Sequence, residues 1–367
     1  MIRGVEEWRS VALVLCSRVI VLGFLLLSAF TDVRGTRHYV PFLPRLVHWD
    51  AFHYLGIAKF GYGLAMASDH PSAAFFPGFP ATIRVVHFLG VDYVISGVII
   101  SLVGTLVAAV ALARIAALDG HPEDGPWAVA FLLLAPAAVF LAVPYTEGLF
   151  LGLALPAWLF ARRREWWWAG ILCGVSMFVR VDGLFLLTAL VVEWLTKDRP
   201  RRLADAAWLS IPIGAAVALE VFYVWLTGEV LGWLHAEQIG WHRSFAWPWR
   251  TAHNTIPLVF PRHGFVWTQL SSGLDLIALV VAVVVTVVLC RERRWGEAVL
   301  VGLPFVMLST STRLWSLDRA TLLAWPIFLL LARLARRHEW ITWSYVTVGL
   351  CLGAVVMMGY ASGAWVG

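Results

Sequence analysis

Apolar runs long enough to cross a bilayer recur from one end of this 367-residue chain to the other, and they constrain its fold more than any motif does. A helix needs about 20 mostly apolar residues to span the hydrocarbon core. Within that core every backbone N–H and C=O must be bonded inside the chain. Charged residues are 14% of the sequence, against about 25% in a soluble globular chain, and they gather between the apolar runs. The chain therefore reads as an all-α polytopic membrane protein, one integral domain over 1–367, with no soluble part large enough to fold alone. The pattern places spans near residues 10–30, 94–117, 126–143, 147–161, 166–179, 184–196, 206–227, 271–290, 296–311, 318–334 and 341–361, about eleven crossings. Several are short, which predicts tilting or pairing with neighbours. The first run is too long for a signal peptide and lacks a clear small-residue cleavage site, so it reads as a retained span.

Charge supplies the orientation. The formal net charge of +5 does not point to nucleic acid, because the basic residues sit at helix ends. With the N-terminus cytoplasmic, the basic clusters at 162–164, 197–202, 291–294 and 333–337 all fall on the cytoplasmic side, as the positive-inside rule requires. Two long loops, 31–80 and 228–267, then face outward, together with the shorter connections at 144–148, 180–183 and 311–319. The polar groups suited to chemistry are concentrated on this outer side, while the cytoplasmic connections read as short and basic. Cys16, Cys173, Cys290 and Cys351 lie in or beside apolar runs and form no C-x-x-C pair. They read as small buried residues, with neither a disulfide framework nor a metal site implied.

The first outer loop is the most informative stretch. It contains His48-Trp49-Asp50-Ala51-Phe52-His53-Tyr54, and a short helix is expected from Asp50 to Gly61. Asp50 is placed to cap that helix, and His53 and Tyr54, three and four residues on, share its face. Phe75-Phe76-Pro77-Gly78-Phe79-Pro80 follows, then an amphipathic stretch with Arg84 and His87. Spacing alone is equally satisfied by two interfacial helices carrying a capping Asp and an aromatic belt.

Trp49-Asp50-x-x-His53-Tyr54-x-x-Ile57-Ala58-x-x-Gly61-Tyr62, followed by Phe75-Phe76-Pro77, resembles the opening of the PIG-V family of mannosyltransferases and its bacterial relatives. The likeness continues in order through Pro144-Tyr145-Thr146-Glu147-Gly148-Leu149-Phe150 and Phe178-Val179-Arg180-Val181-Asp182-Gly183. It extends to Trp233-Leu234-His235-Ala236-Glu237-Gln238 with Trp241 to Trp249, and to Ser316-Leu317-Asp318-Arg319 with Pro326. At 182 the chain departs from the family pattern, which more often has Thr, Asn or Ser. The resemblance implies a GT-C fold with interfacial helices in the first outer loop and an acidic residue there. It also implies a polyprenyl-phosphate sugar donor, with mannose as the sugar.

A sugar on a lipid phosphate already carries its leaving group, so no nucleotide pocket or Gly-rich phosphate loop is needed, and none is present. Asp50 is the candidate general base for the acceptor hydroxyl, in an inverting displacement. Arg180, Arg319 and His53 are the candidates to hold the donor phosphate. Tyr54, Glu147, Asp182, Trp241 and Trp247 are candidates to bind substrate. Duller roles stand beside these. Arg180 and Arg319 suit anchoring to headgroups. Glu147 suits a helix start, and Trp233, Trp241, Phe245, Trp247 and Trp249 suit an interfacial belt. Glu220 and Asp275 lie in the outer parts of spans, where ionisable residues are either functional or bonded to a neighbouring helix; Arg18 reads as snorkelling or internally paired. No H-x-x-x-H spacing appears and no metal or other cofactor is expected, although a divalent ion bridging Asp50 and the phosphate would leave little sequence mark. The expected partners are the lipid-linked donor, membrane lipid, and an acceptor glycan, glycolipid or protein. A transporter or flippase of a lipid-linked or small substrate is the alternative, but the two halves show no internal repeat.

Overall fold

A computed structural model describes residues 2–28, 41–63, 71–197, 202–260 and 266–367. Parts of both expected outer loops (31–40, 64–70 and 261–265) and of the basic cluster at 197–202 lie outside these described residues. Regular structure among the described residues is helical, apart from one isolated bridge between Phe245 and Ser311. The polytopic all-α reading is borne out.

Between helices α1 (Ile2–Leu27) and α4 (Tyr93–Leu118) the chain forms α2 (Asp50–Phe60) and α3 (Gly78–His87). After α5 (Asp124–Leu133) come α6 (Thr146–Arg162), α7 (Trp166–Met177) and α8 (Asp182–Lys197). Next are α9 (Leu203–Ala207), α10 (Ser210–Thr227), α11 (Gly232–Trp241) and α12 (Pro248–Val259). The last group is α13 (Val266–Arg291), α14 (Trp295–Ser309), α15 (Leu317–Leu323), α16 (Pro326–Arg337) and α17 (Glu339–Ala361). Among the described residues, five stretches are long and apolar enough to cross a membrane: Gly4–Leu27, Tyr93–Leu118, Leu203–Thr227, Val266–Arg291 and Glu339–Ala361. Trp166–Met177 and Trp295–Ser309 are shorter apolar helices. With its apolar lipid-length helices the chain is an integral membrane protein.

Two expected spans are broken. The run at 126–143 is helical only to Leu133, and a tight 3-10 turn from Pro136 to Leu141 replaces its second half. The run at 318–334 divides into α15 and α16, with Pro326 at the start of the second piece. Proline has no N–H to donate and its ring crowds the preceding turn. Hydropathy reads through both breaks because the residues on either side are apolar.

Helix α6 is the axis of the core. Apolar residues all round a helix mark one buried on every side, and Phe150, Leu151, Leu155 and Trp158 are almost wholly buried. Its close contact with α4 runs over glycines. A Cβ on Gly104 would lie 2.2 Å from the Gly148 carbonyl oxygen, and one on Gly152 would lie 2.7 Å from the Gly104 Cα. Small residues spaced by three let helix backbones approach this closely, which holds the start of α6, including Glu147, at a fixed depth.

The basic end of the bundle is less simple than its sequence suggested. At the far end of α6, Arg162 bonds Asp119 at 2.8 Å and lies 3.6 Å from both Glu193 and Glu297. Arg294 bonds Asp119 at 3.0 Å and pairs with Glu297, and Arg333 reaches Glu292 at 3.3 Å. These connections are ion-paired rather than merely basic.

Candidate active site

Asp50 is the first residue of α2, but it does not cap that helix. Trp49 occupies the cap position with φ 53° and ψ −118° and gives no side-chain cap; the Ala51 and Phe52 N–H groups donate instead to the His48 and Trp49 carbonyls at 3.1 and 3.0 Å. Such a backbone costs on the order of 1–3 kcal/mol and persists only where the surroundings enforce it. Three bonds do so: Trp49 Nε1 donates to the Ala364 carbonyl at 3.2 Å, Tyr145 Oη to the His48 carbonyl at 2.9 Å, and Tyr360 Oη to the Leu46 carbonyl at 2.9 Å. The turn aims the Asp50 carboxylate across the bundle, where Oδ2 accepts from Arg319 Nη1 at 2.9 Å.

Arg319 is the centre of the site. It is 6% exposed, which removes the headgroup-anchor reading. Its guanidinium donates to Glu147 Oε1 from Nη2 at 2.6 Å and from Nε at 3.0 Å, and it lies over the rings of Phe140 and Tyr145 at 4.7 and 5.0 Å. Asp275 sets its position from α13: Oδ1 accepts from the backbone N–H groups of Leu317 at 2.7 Å and Asp318 at 3.3 Å. The span carboxylate thus bonds the free end of a neighbouring helix. Glu220 plays a comparable part, accepting from the Leu231 N–H at 2.5 Å.

Glu147 Oε1 also accepts from Arg180 Nη1 at 3.2 Å; the same nitrogen donates to Thr146 Oγ1 at 2.7 Å, and Arg180 Nε donates to Asp182 Oδ2 at 2.8 Å. Burial works against the Arg180 charge, yet Asp182 and Glu147 outweigh it and hold the guanidinium above its ordinary range. The turn carrying Arg180 is docked on α3. The Gly78 N–H donates to the Phe178 carbonyl at 2.7 Å, where any Cβ at position 78 would collide with that oxygen. This close approach is why glycine follows Phe75-Phe76-Pro77. The result is one continuous chain, Asp50–Arg319–Glu147–Arg180–Asp182, drawn from four helices and a turn.

A cavity of about 150 Å³ opens on this chain, lined by Asp50, Tyr54, Arg180, Asp182, Trp241 and Arg319, while Glu147 lies behind its wall. Two further charged groups of the 228–267 loop line it, Glu237 and Arg243, 3.4 Å apart. Burial pushes the Glu237 carboxyl up, with Arg243 pulling the other way. His53 is placed elsewhere: its ring stacks on Phe75 at 4.4 Å, and it faces an adjoining cavity of about 490 Å³. Trp247 lines neither cavity and stacks on Trp249 at 5.0 Å, 57% exposed. Sequence reasoning passed over Glu237, Arg243 and Trp365. The first two sit in or beside a quoted motif, where a buried-side acid followed six residues later by an arginine was the available signal. Trp365 lies after the last span, with no motif around it.

Residues 36–197 match the mannosyltransferase (PIG-V) family. The resemblance to PIG-V proteins is thereby borne out, and the matched segment carries Asp50, Glu147, Arg180 and Asp182 but not Arg319. Similar curated proteins include GPI alpha-1,6-mannosyltransferase 2 of Mus musculus, 32% identical over 160 residues, or 40% of this chain and 31% of the relative. The Homo sapiens protein of the same name is 36% identical over 153 residues, or 39% of this chain and 30% of the relative. The PIG-V-like chain thus aligns with less than a third of the length of these relatives.

Proposed function

We propose that this chain is a glycosyltransferase that moves a sugar, mannose by analogy with its relatives, from a polyprenyl-phosphate carrier to an acceptor hydroxyl. The reaction takes place at the extracytoplasmic face with inversion at the anomeric carbon. The observation that carries this reading is the Asp50 carboxylate on the cavity wall, joined through Arg319 to Glu147 and Arg180. The orientation rests on α6, which has Glu147 at one end and the basic cluster of Arg162 at the other.

In this mechanism the acceptor hydroxyl gives its proton to Asp50 and its oxygen bonds to the anomeric carbon. The bond from that carbon to the phosphate oxygen breaks, and its electron pair leaves with the phosphate. Asp50 becomes neutral as the phosphate gains charge. Arg319 then loses a carboxylate partner when a new anion forms beside it, so the preorganised cation stabilises the developing charge. Arg180 and Arg243 add to that field, Glu147 and Asp182 hold the arginines in place, and Tyr54 and Trp241 wall the sugar.

The test uses the purified full chain in nanodiscs with a synthetic polyprenyl-phosphate mannose and a panel of glycoside acceptors. NMR of the product is expected to show the anomeric configuration opposite to the donor's. Retention would contradict a single displacement, and failure to consume this donor or other lipid-linked sugars would contradict the reading. Because arginines carry the phosphate charge, activity is expected to survive excess EDTA. Loss that magnesium restores would transfer that role to a divalent ion.

A further inference from the structure

The two cavities meet along a shared wall made by Asp50, Trp241 and Trp365. Their charge differs sharply. The smaller one is lined by Arg180, Arg243 and Arg319. Among the described residues the larger has no arginine or lysine in its wall; Asp50 is its acid, and apart from Gly240 and Gly363 the rest is aromatic or imidazole, with Trp49, Phe52, His53 and Trp241 among them. We propose that the larger cavity is the acceptor site and takes a neutral pyranoside, with one sugar ring stacked on Trp365 and its hydroxyl turned to Asp50.

This assignment rests on the sugar-transfer reading, and three observations carry it. An inverting displacement needs the acceptor and the leaving phosphate on opposite sides of the reacting carbon, with the base within hydrogen-bond reach of the acceptor hydroxyl. Asp50 is the acid that both cavities share. Next, a phosphate in the larger cavity would face the Asp50 carboxylate with no guanidinium among the described lining residues, and like charges held close repel. The donor phosphate therefore belongs with the arginines, leaving the larger cavity to an uncharged partner. Finally, at about 490 Å³ the larger cavity falls within the size range of small-ligand pockets, which are mostly apolar and aromatic with a few polar groups. A pyranose ring matches such a lining, since its C–H face is apolar and its rim of hydroxyls is polar.

Trp365 is built in rather than loose. Its ring packs edge-on against Trp49 at 5.1 Å and Trp315 at 6.1 Å, and the preceding carbonyl, of Ala364, accepts the Trp49 Nε1–H. The platform is thus tied to the same turn that aims Asp50. Trp365 is a binding residue in this scheme; Asp50 does the proton transfer.

The experiment measures donor and acceptor KM separately on the full chain in nanodiscs, with a short neutral alkyl mannoside as acceptor probe. Trp365→Ala is expected to raise the acceptor KM at least about tenfold, well beyond any change in donor KM, with Trp365→Phe recovering much of the loss. Arg243→Ala, which touches only the smaller cavity, is expected to do the reverse. A matched uronic acid glycoside is expected to be a far poorer acceptor than its neutral counterpart. A crossed pattern, with Trp365→Ala acting on the donor and Arg243→Ala on the acceptor, would overturn the assignment, as would equal use of the anionic glycoside. Direct binding of the alkyl mannoside, followed by calorimetry, separates the two claims. If wild-type protein consumes no donor, the transfer reading fails, and the cavity is decided by binding alone. Binding lost in Trp365→Ala supports a pyranoside site, and binding unchanged in that variant overturns it.

Discussion

Asp50 and Glu237 face one cavity with different partners. Asp50 is bonded to Arg319, whereas Glu237 lies 3.4 Å from Arg243 and is desolvated. The groups facing Glu237 include Arg243, Asp50, Arg180 and Arg319. Because burial raises its folded-state pKa, the stability Glu237 contributes is fully present below its unfolded value and is lost as pH rises through the folded one. Glu237→Gln keeps the shape without the charge. Its Tm relative to wild type is therefore expected to rise between pH 4.5 and pH 8 in a thermal unfolding series; a difference that stays flat would mean Glu237 is ionised throughout. Asp50 was legible as a chemical residue because it opens a motif. Its true orientation was not, since that depends on the backbone at Trp49 and on bonds from Tyr145, Tyr360 and the Ala364 carbonyl, far away in sequence.

Among the elements, α6 and α15 deliver the site's two central groups, and each is set by a neighbour. Helix α6 is held against α4 through Gly104, Gly148 and Gly152. Gly104→Leu would force backbone apart where a Cβ already lies 2.2 Å from the Gly148 carbonyl. Overpacking of this kind costs about 1–3 kcal/mol, so the expected result is a lower Tm together with a raised donor KM as Glu147 shifts. An unchanged donor KM at lowered stability would separate the packing from the site. Helix α15 begins on Asp275, and Asp275→Ala leaves the Leu317 and Asp318 N–H groups without that acceptor. The expected loss falls on kcat through Arg319, and Asp275→Asn, whose amide oxygen still accepts, is expected to recover part of it. Hydropathy found these helices but not their ends. The breaks near Pro136 and Pro326 are flanked by residues as apolar as any span, and only the missing proline donors mark them.

For the whole molecule, sequence motifs scattered from residue 49 to residue 319 converge on one cavity, and ion-paired arginines close the other end of the bundle. Motif order was readable because each segment kept its local signature. The pairing of Arg319 with both Asp50 and Glu147 was not, because it joins residues 269 and 172 positions apart. The proposed orientation is open to labelling in a background lacking the four native cysteines. A cysteine at exposed Phe52 is expected to react with an impermeant maleimide in intact cells, and one at Arg337 only after permeabilisation; the reverse pattern would put the site on the cytoplasmic face. The most direct test of the central claim is consumption of polyprenyl-phosphate mannose by wild-type protein and by Asp50→Asn, each verified as folded. The account predicts turnover by wild type and a loss of roughly 10²–10⁴-fold in the variant, the range for removal of a general base. Turnover by Asp50→Asn close to that of wild type would contradict Asp50 as the base, and substrate movement across proteoliposomes without sugar transfer by either protein would contradict the enzyme itself.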